Sequence, residues 1–473
     1  MRITQQAIEV CSLSTSALLQ RLRPHFAPDA LLDDPAQCHV YGYDSSKRHG
    51  QPALVALATE TAQIQTCVRA CADLGIALTT RGRGTATTGA AVPNHGGLVL
   101  SLERMDQILT IDSANRYARV QPGVLNGNLQ HALAPHGFFW PPDPTSAPYC
   151  TVGGNLACNA GGPRTVKYGA CRENVLGLSA VDGRGALFHT GQFTSKGAVG
   201  YDLTRTLVGS EGTLAIIVEA TLKLVPLAAA RLGARASFAS VQAAAHAVAR
   251  IMAQAVTPSA LEFLDNAALN LLRQHSDAPI PPGAALLLIE VDGPVQTLGD
   301  ALAAVAAAAQ VDGLLEFAAA RDGEDSARLW AARKALSPVL RQVAPKKINE
   351  DVVVPVGRLP ELIDGVALIG QREGLTVVNF GHAGNGNIHV NFLLDPSDAV
   401  QAAAAARAVH ALFDLVLKLG GTLSGEHGIG IDKRPFVSSA VDAHALSLMR
   451  GIKQVFDPAN ILNPGKVLPE LSS

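Results

Sequence analysis

Hydrophobic positions along the chain change rhythm near Pro226. Before it, short strand-like runs at 53–57 and 76–80 bracket an amphipathic segment, Thr61–Leu74, so a strand, a helix and a second strand are predicted in succession. Residues 1–50 read as a helical leader with a polar loop at 41–50. Beyond Pro226, alanine-rich runs at 241–255, 298–309 and 399–419 read as helices and alternate with strand-like 285–291 and 377–380. At 473 residues the chain exceeds one ordinary core. The expected class is α+β: a first domain over 51–227, a second over 228–425 with two βαβ-like passes forming an antiparallel sheet, and a C-terminal segment over 426–473.

The stretch 379–391 reads NFGHAGNGNIHVN. β-prone runs at 375–380 and 388–394 flank the tetrad 383–386, whose glycines and asparagine supply the positive φ of a tight reversal, so a hairpin is predicted. His382 and His389 would face opposite sides of one straight strand. Across a hairpin they become cross-strand neighbours with Cβ atoms about 5 Å apart. Two imidazoles at that spacing suit one divalent metal, and Glu426 in Ser424-Gly425-Glu426-His427-Gly428 is the candidate third ligand. On the hairpin alone, core imidazoles hydrogen-bonded to carbonyls and a hydrolytic metal centre both stay open.

Composition removes several classes. The formal net charge is −2 and no lysine- or arginine-rich tract occurs, so there is no field for nucleic acid. No uncharged apolar run reaches the ~20 residues that span a bilayer, so no transmembrane segment is expected. The opening MRITQQAIEVCS has neither an h-region nor a cleavage site, so no secretory leader is expected. Seven cysteines all precede residue 172 without a C-x-x-C, which reads as buried free thiols in a reducing, cytoplasmic setting.

Three glycine-rich segments punctuate the first half. The first, 81–91, reads RGRGTATTGAA; its glycines let the backbone approach a ligand, and its N–H and hydroxyl groups can cradle phosphate. The spacing G-x-G-x-x-x-x-G, followed by proline and strand character, is not a dinucleotide fingerprint, and no Gly-Lys-Ser/Thr ending marks a P-loop. The second segment, TVGGNLACNAGG at 151–162, follows Pro141-Pro142-Asp143-Pro144 and leaves room for a large flat ligand beside the backbone. The third is VGSEGTLAIIV at 208–218.

In this order the three segments resemble the vanillyl-alcohol oxidase, or PCMH-type FAD, superfamily. The resemblance implies a PCMH-type FAD-binding domain capped by the second domain, with the backbone of Gly82, Arg83, Gly84, Thr85, Ala86, Thr87 and Thr88 on the pyrophosphate. It places Pro142, Thr151, Gly154, Asn155 and Asn159 along the flavin, Glu211, Gly212 and Val218 nearer the adenine, and Asn463 in a C-terminal return to the flavin domain. Ala86 stands where glycine or serine is usual and Arg83 where a small residue is common; a negative φ would accommodate Ala86. No histidine lies in 81–91, so the FAD is expected to be non-covalent.

The second half narrows the likeness. LWAARKAL at 329–336, EDVVVP at 350–355, GHAGNGNIHVN at 381–391 and GGTLSGEHGIG at 420–430 resemble the flavin-dependent D-2-hydroxy-acid dehydrogenases. That group includes D-lactate dehydrogenase, the glycolate oxidase FAD subunit and D-2-hydroxyglutarate dehydrogenase. By this resemblance His382, His389 and Glu426 bind a divalent metal, zinc first and Mn2+ or Fe2+ as alternatives, with one position open. His427 is the base that takes the hydroxyl proton, Arg333 forks onto the substrate carboxylate, and Ser337 and Asn391 are further substrate contacts. The hydroxyglutarate branch has a lysine two residues before the aspartate matching Asp351. Here that residue is Asn349, with Lys346 and Lys347 further upstream, which tilts the reading towards a monocarboxylate such as D-lactate. The implied electron acceptor is a quinone, a cytochrome or an electron-transfer flavoprotein, through which the protein could sit at a membrane surface; a homodimer is possible. An oxidase using oxygen and a non-catalytic FAD subunit of an electron-transfer complex are the competing readings.

Overall fold

The computed structural model describes residues 14–194 and 196–470. The opening MRITQQAIEVCS, on which the expected absence of a leader rests, lies outside them, as does Cys11. The chain divides into two compact units. Met1–Gly161, Ala170–Leu227 and Glu426–Ser473 form the first; Gly162–Gly169 and Ala228–Gly425 form the second.

In the first unit β1 (Leu31–Leu32), β2 (Leu54–Leu57), β3 (Leu78–Arg81) and β4 (Leu98–Ser101) form a sheet ordered β1-β2-β4-β3, with β2, β4 and β3 parallel. The sequences LVAL and LVLS of β2 and β4 are buried at every position, as parallel strands covered on both faces require. Helix Thr61–Leu74 buries Ile64, Cys67, Val68 and Cys71 in this core. It stops at Gly75, φ 64°, whose N–H returns to the Ala72 and Cys71 carbonyls. The C-terminal segment closes the β3 edge: Leu78 N–H donates to Ile461 O at 2.8 Å and Asn463 N–H to Leu78 O at 2.7 Å. The strands β5 (Ile108–Asp112), β6 (Tyr117–Val120), β7 (Phe138–Phe139), β8 (Val175–Asp182), β9 (Leu187–Gly191), β10 (Ala215–Lys223) and β11 (Val225–Pro226) follow. β7 pairs with β11, and the other five make an antiparallel sheet ordered β5-β6-β10-β8-β9.

The second unit holds β12 (Ala230–Phe238), β13 (Ala260–Leu264), β14 (Ala285–Gly293), β15 (Leu314–Ala319), β16 (Lys346–Val353), β17 (Thr376–His382) and β18 (Asn387–Leu394). Their order is β15-β12-β14-β13-β17-β18-β16, antiparallel throughout. The two helical passes are split: β14 lies between β12 and β13, and β18 lies between β16 and β17. One face of the sheet packs Leu264, Leu286, Leu288, Val378, Phe380 and Leu393 with helices Asn266–His275 and Ala331–Val343. Val377, of opposite parity, lies against Gly370 of helix Leu359–Glu373. Helix Ala399–Lys418 is the one described helix long and apolar enough, by length and composition, to cross a membrane. Its Ala404, Ala408, Leu412 and Val416 form a buried stripe and its Leu415 meets Gly365, so it packs as a helix of this unit. All six described cysteines are free, and all but Cys158 are buried.

Candidate functional site

In the first unit the loop after β3 is propped from beneath by Arg81, 9% exposed, whose Nη1 donates to the Tyr41 and Tyr43 carbonyls, each at 2.9 Å. Gly84 has φ 66°, and a Cβ there would fall 2.3 Å from Arg81 Nη2. Only glycine fits over that guanidinium. Ala86 is not among the positive-φ residues, so its methyl is accommodated. Arg83 pairs with Glu103 at 3.3 Å, so its charge is met by a carboxylate.

The other two glycine segments converge on this loop. A Cβ on Gly82 would lie 2.3 Å from Thr151 Oγ1, and that hydroxyl accepts the Gly154 N–H at 3.2 Å to cap helix Val152–Cys158. The fully buried Asn126 donates through Nδ2 to Pro142 O and Asn155 Oδ1, each at 3.0 Å. Asn159 ends the helix at φ 52°, and its Oδ1 accepts the Arg172 N–H at 2.9 Å. The third segment docks on the same helix: Gly209 N–H donates to Leu156 O at 2.9 Å and Glu211 N–H to Ala157 O at 2.8 Å. A Cβ on Gly212 would lie 3.9 Å from Thr80, whose buried Oγ1 has no hydrogen-bond partner among the described residues. Backbone amides, small side chains and a buried hydroxyl still to be satisfied fit a large polar cofactor at Gly82–Thr88, Thr151–Asn159 and Gly212. Val218 puts its side chain in the core with Leu54 and Val55, leaving only its backbone for a ligand. The Glu211 carboxylate is taken up by amides of the turn after His427.

In the second unit the hairpin forms, with a 3-10 turn Ala383–Asn385 closed by Gly386 at φ 71°. Its register differs from direct opposition of the histidines. The four-residue reversal sets Phe380 opposite His389 and Val378 opposite Asn391, so His382 is the diagonal neighbour of His389. The rings still meet edge to face with centroids 5.3 Å apart, and both residues are about 95% buried.

Glu262 on β13 lies opposite His382. It is fully buried and binds two partners: one oxygen accepts from His382 Nδ1 and the other accepts from Arg333 Nε at 2.8 Å. Burial pushes its carboxyl up, but His382 and Arg333 pull harder and hold it at about 2. With Nδ1 committed to Glu262, Nε2 is the His382 ring nitrogen that a metal could take. The guanidinium of Arg333 also lies 4.8 Å from the Phe380 ring centre. Among the described residues no other hydrogen bond reaches it, so its outer nitrogens can take a carboxylate. Ser337 lies one helical turn further, with its side chain outside the described ones.

Asn391 is fully buried; its Nδ2 donates to Val378 O at 3.1 Å and His389 O at 2.9 Å, and its Oδ1 has no partner among the described residues. The facing Asn349 Oδ1 is likewise unsatisfied. Two orphaned acceptors beside His389 mark a place where a donor is missing. Asp351, opposite His389 and fully buried, accepts from Asn387 Nδ2 at 2.6 Å, Ser424 Oγ at 3.1 Å and Gly425 N–H at 2.9 Å. Sequence reasoning missed Arg81, Asn126 and Glu262. For Glu262 the one available signal was a lone carboxylate inside the apolar strand ALEFL.

Residues 52–191 match an FAD binding domain, and residues 228–467 match the C-terminal domain of FAD linked oxidases. The chain belongs to the FAD-linked oxidases. This FAD-linked oxidase is an FAD-dependent oxidoreductase of α+β fold. It is 36% identical over 442 residues to the glycolate oxidase subunit GlcD of Bacillus subtilis, covering 93% of this chain and 94% of that protein. It is 31% identical over 471 residues to a D-lactate dehydrogenase of Anaerostipes hadrus, covering 97% and 98% respectively. Its fold is that of p-cresol methylhydroxylase, with a TM-score of 0.78 at 17% identity over 96% of each chain.

Proposed function

We propose that this FAD-linked oxidase oxidises a D-2-hydroxy acid to the 2-oxo acid, with D-lactate as the favoured substrate and glycolate or D-2-hydroxyglutarate as alternatives. The observation that carries the reading is Glu262, which orients the histidine proposed to bind metal and anchors the arginine proposed to bind the carboxylate. Relatives named for glycolate oxidation and D-lactate dehydrogenation support the same substrate class.

In this scheme FAD held at Gly82–Thr88 and Thr151–Asn159 would supply the hydride acceptor, and a divalent cation, zinc first, would supply polarisation of the substrate oxygen. His382, through Nε2, and His389 and Glu426 are the proposed ligands. Glu426 follows Gly425, whose N–H is anchored on Asp351, the cross-strand partner of His389. The outer nitrogens of Arg333 hold the substrate carboxylate in a fork. Asn391 is a further polar contact to the bound acid, and His427 takes its hydroxyl proton. D-Lactate is preferred over a dicarboxylate because Asn349, not a cation, faces Asn391; Lys347 faces Leu393, one strand repeat further from His389. The electrons then pass to a quinone, a cytochrome or an electron-transfer flavoprotein.

Anaerobic mixing of the FAD- and metal-replete protein with paired D- and L-2-hydroxy acids tests the reading through bleaching of the flavin band. Bleaching by D-lactate and not L-lactate is expected. Absence of bleaching with every D-2-hydroxy acid would reject the proposal.

A further inference from the structure

The turn at 427–432 is held by two side chains of the first unit, Thr88 and Glu211. One Glu211 oxygen accepts the Ile429 N–H at 2.6 Å and the other accepts the Gly430 N–H at 2.8 Å. Thr88 Oγ1 donates to His427 O at 3.3 Å, while Thr88 O accepts from Ile431 N–H at 2.8 Å and Asp432 N–H at 3.2 Å. The packing leaves no slack. A Cβ on Gly428 would sit 2.6 Å from Glu211 Oε1, and one on Gly430, at φ 54°, would sit 2.2 Å from Thr88 O.

Glu211 is itself over-determined. It is 5% exposed and adopts φ 53°, a left-handed conformation disfavoured for a side chain of this type. Asn463 Nδ2 donates to its carbonyl at 2.7 Å and to Ala90 O at 2.9 Å, and Lys466 Nζ donates to Asn463 Oδ1 at 2.6 Å. A non-glycine residue persists in that region only where its surroundings enforce it, and such residues cluster at functional sites. The surroundings enforce a placement in which the two carboxylate oxygens reach the Ile429 and Gly430 amides, two and three residues past His427.

We infer that Glu211 is a positioning residue for His427: it fixes the turn so that the imidazole is presented in one orientation, and its carboxylate serves protein amides rather than the cofactor. The inference rests on His427 being the base of the proposed reaction. A base must meet its proton within hydrogen-bond reach, and a misplacement of about 1 Å costs on the order of 100-fold in rate.

The test uses Glu211→Ala, which removes both acceptors, and the isosteric Glu211→Gln, which keeps one and turns an NH2 towards the other amide. Each is reduced anaerobically, FAD- and metal-replete, by whichever D-2-hydroxy acid reduces the parent. Flavin content per chain and half-saturating substrate concentration should hold at parental values. The limiting reduction rate should fall about 100-fold in Glu211→Ala and about tenfold in Glu211→Gln. The solvent deuterium isotope effect on that rate should rise, because removal of the hydroxyl proton becomes slow. Should Glu211→Ala fail to fold, Glu211→Gln carries the same test. Parental rates at full flavin content overturn the inference. So does loss of flavin with a remaining holoprotein fraction that reduces at the parental rate, which would assign Glu211 to cofactor binding. A parent that no D-2-hydroxy acid reduces overturns the dehydrogenase reading, and this inference with it, before any variant is compared.

Discussion

Replacing Glu262 by Gln tests the central link of the second unit. The substitution keeps volume and one acceptor but removes the one carboxylate that, among the described residues, pairs with Arg333, whose side chain is 16% exposed. Breaking a buried pair on one side costs about 3–5 kcal/mol, because the remaining charge is left without compensation. The surviving carboxamide oxygen can recover one hydrogen bond, about 1 kcal/mol. The expected net cost is therefore about 3 kcal/mol. For a unit of about 200 residues this lowers Tm by roughly 6–12 °C, at 2–4 °C per kcal/mol. The same change leaves His382 Nδ1 without its anionic acceptor, so metal affinity should fall about 10–100-fold. Thermal melts of the chelator-treated protein read the first effect, and competition against a chromophoric chelator reads the second. A double-mutant cycle with Arg333→Met separates the pair from its surroundings. If Glu262→Gln costs as much in the Arg333→Met background as in the parent, within about 0.5 kcal/mol, the pair holds no coupling energy. That outcome, or parental Tm and metal affinity in Glu262→Gln, would refute the role assigned to Glu262.

Three further outcomes are expected. His427→Ala should keep FAD and metal and lose about 100-fold or more in flavin reduction, measured by stopped flow; unchanged kinetics would reject it as the base. Gly84→Ala places a methyl 2.3 Å from Arg81 Nη2 at φ 66°, so FAD affinity by flavin fluorescence titration should drop about tenfold, whereas Gly137→Ala, at φ 78° with nothing within 4 Å, should bind FAD normally. Burial raises the Asp265 carboxyl from 3.8 to about 6, so ionising it costs about 3 kcal/mol in the fold. Its contribution to stability should decline as pH rises from about 4 to 6 and then level; Asp265→Asn should abolish that slope in pH-resolved melts, and an unchanged slope would reject the assignment.

Much of the architecture was legible because it depends on local pattern. Helix Thr61–Leu74 has the bounds its amphipathic run predicts, and the 383–386 reversal forms where glycine and asparagine permit positive φ. The histidine register was not legible. It depends on which residues close the turn, and closure on His382 and Asn387 moves His389 opposite Phe380. Partners distant along the chain were equally hidden: Glu262 lies 120 residues before His382, and Thr88 lies 339 residues before His427. Val218 shows the converse limit. A motif position can carry a ligand through its backbone while its side chain belongs to the core.

The buried acids show why these remote partners matter. Glu262, Glu211 and Asp265 each lose their water, and each is engaged by more than one donor. Their outcomes diverge with the nature of the donors. Burial dominates at Glu211, where backbone amides and more distant Lys466 and Lys433 pull back only partly, and the carboxyl is pushed up to about 7. Asp265, bonded to backbone amides and to Asn379, is pushed up to about 6. At Glu262 burial is opposed by His382 and the Arg333 guanidinium, and the carboxyl falls to about 2. Neutral dipoles offset part of the desolvation, whereas a cation in contact offsets all of it and more. Glu262 is therefore suited to remain an anion beside His382, the proposed metal ligand. Glu211 and Asp265 hold backbone in place at a standing cost that the surrounding fold must absorb.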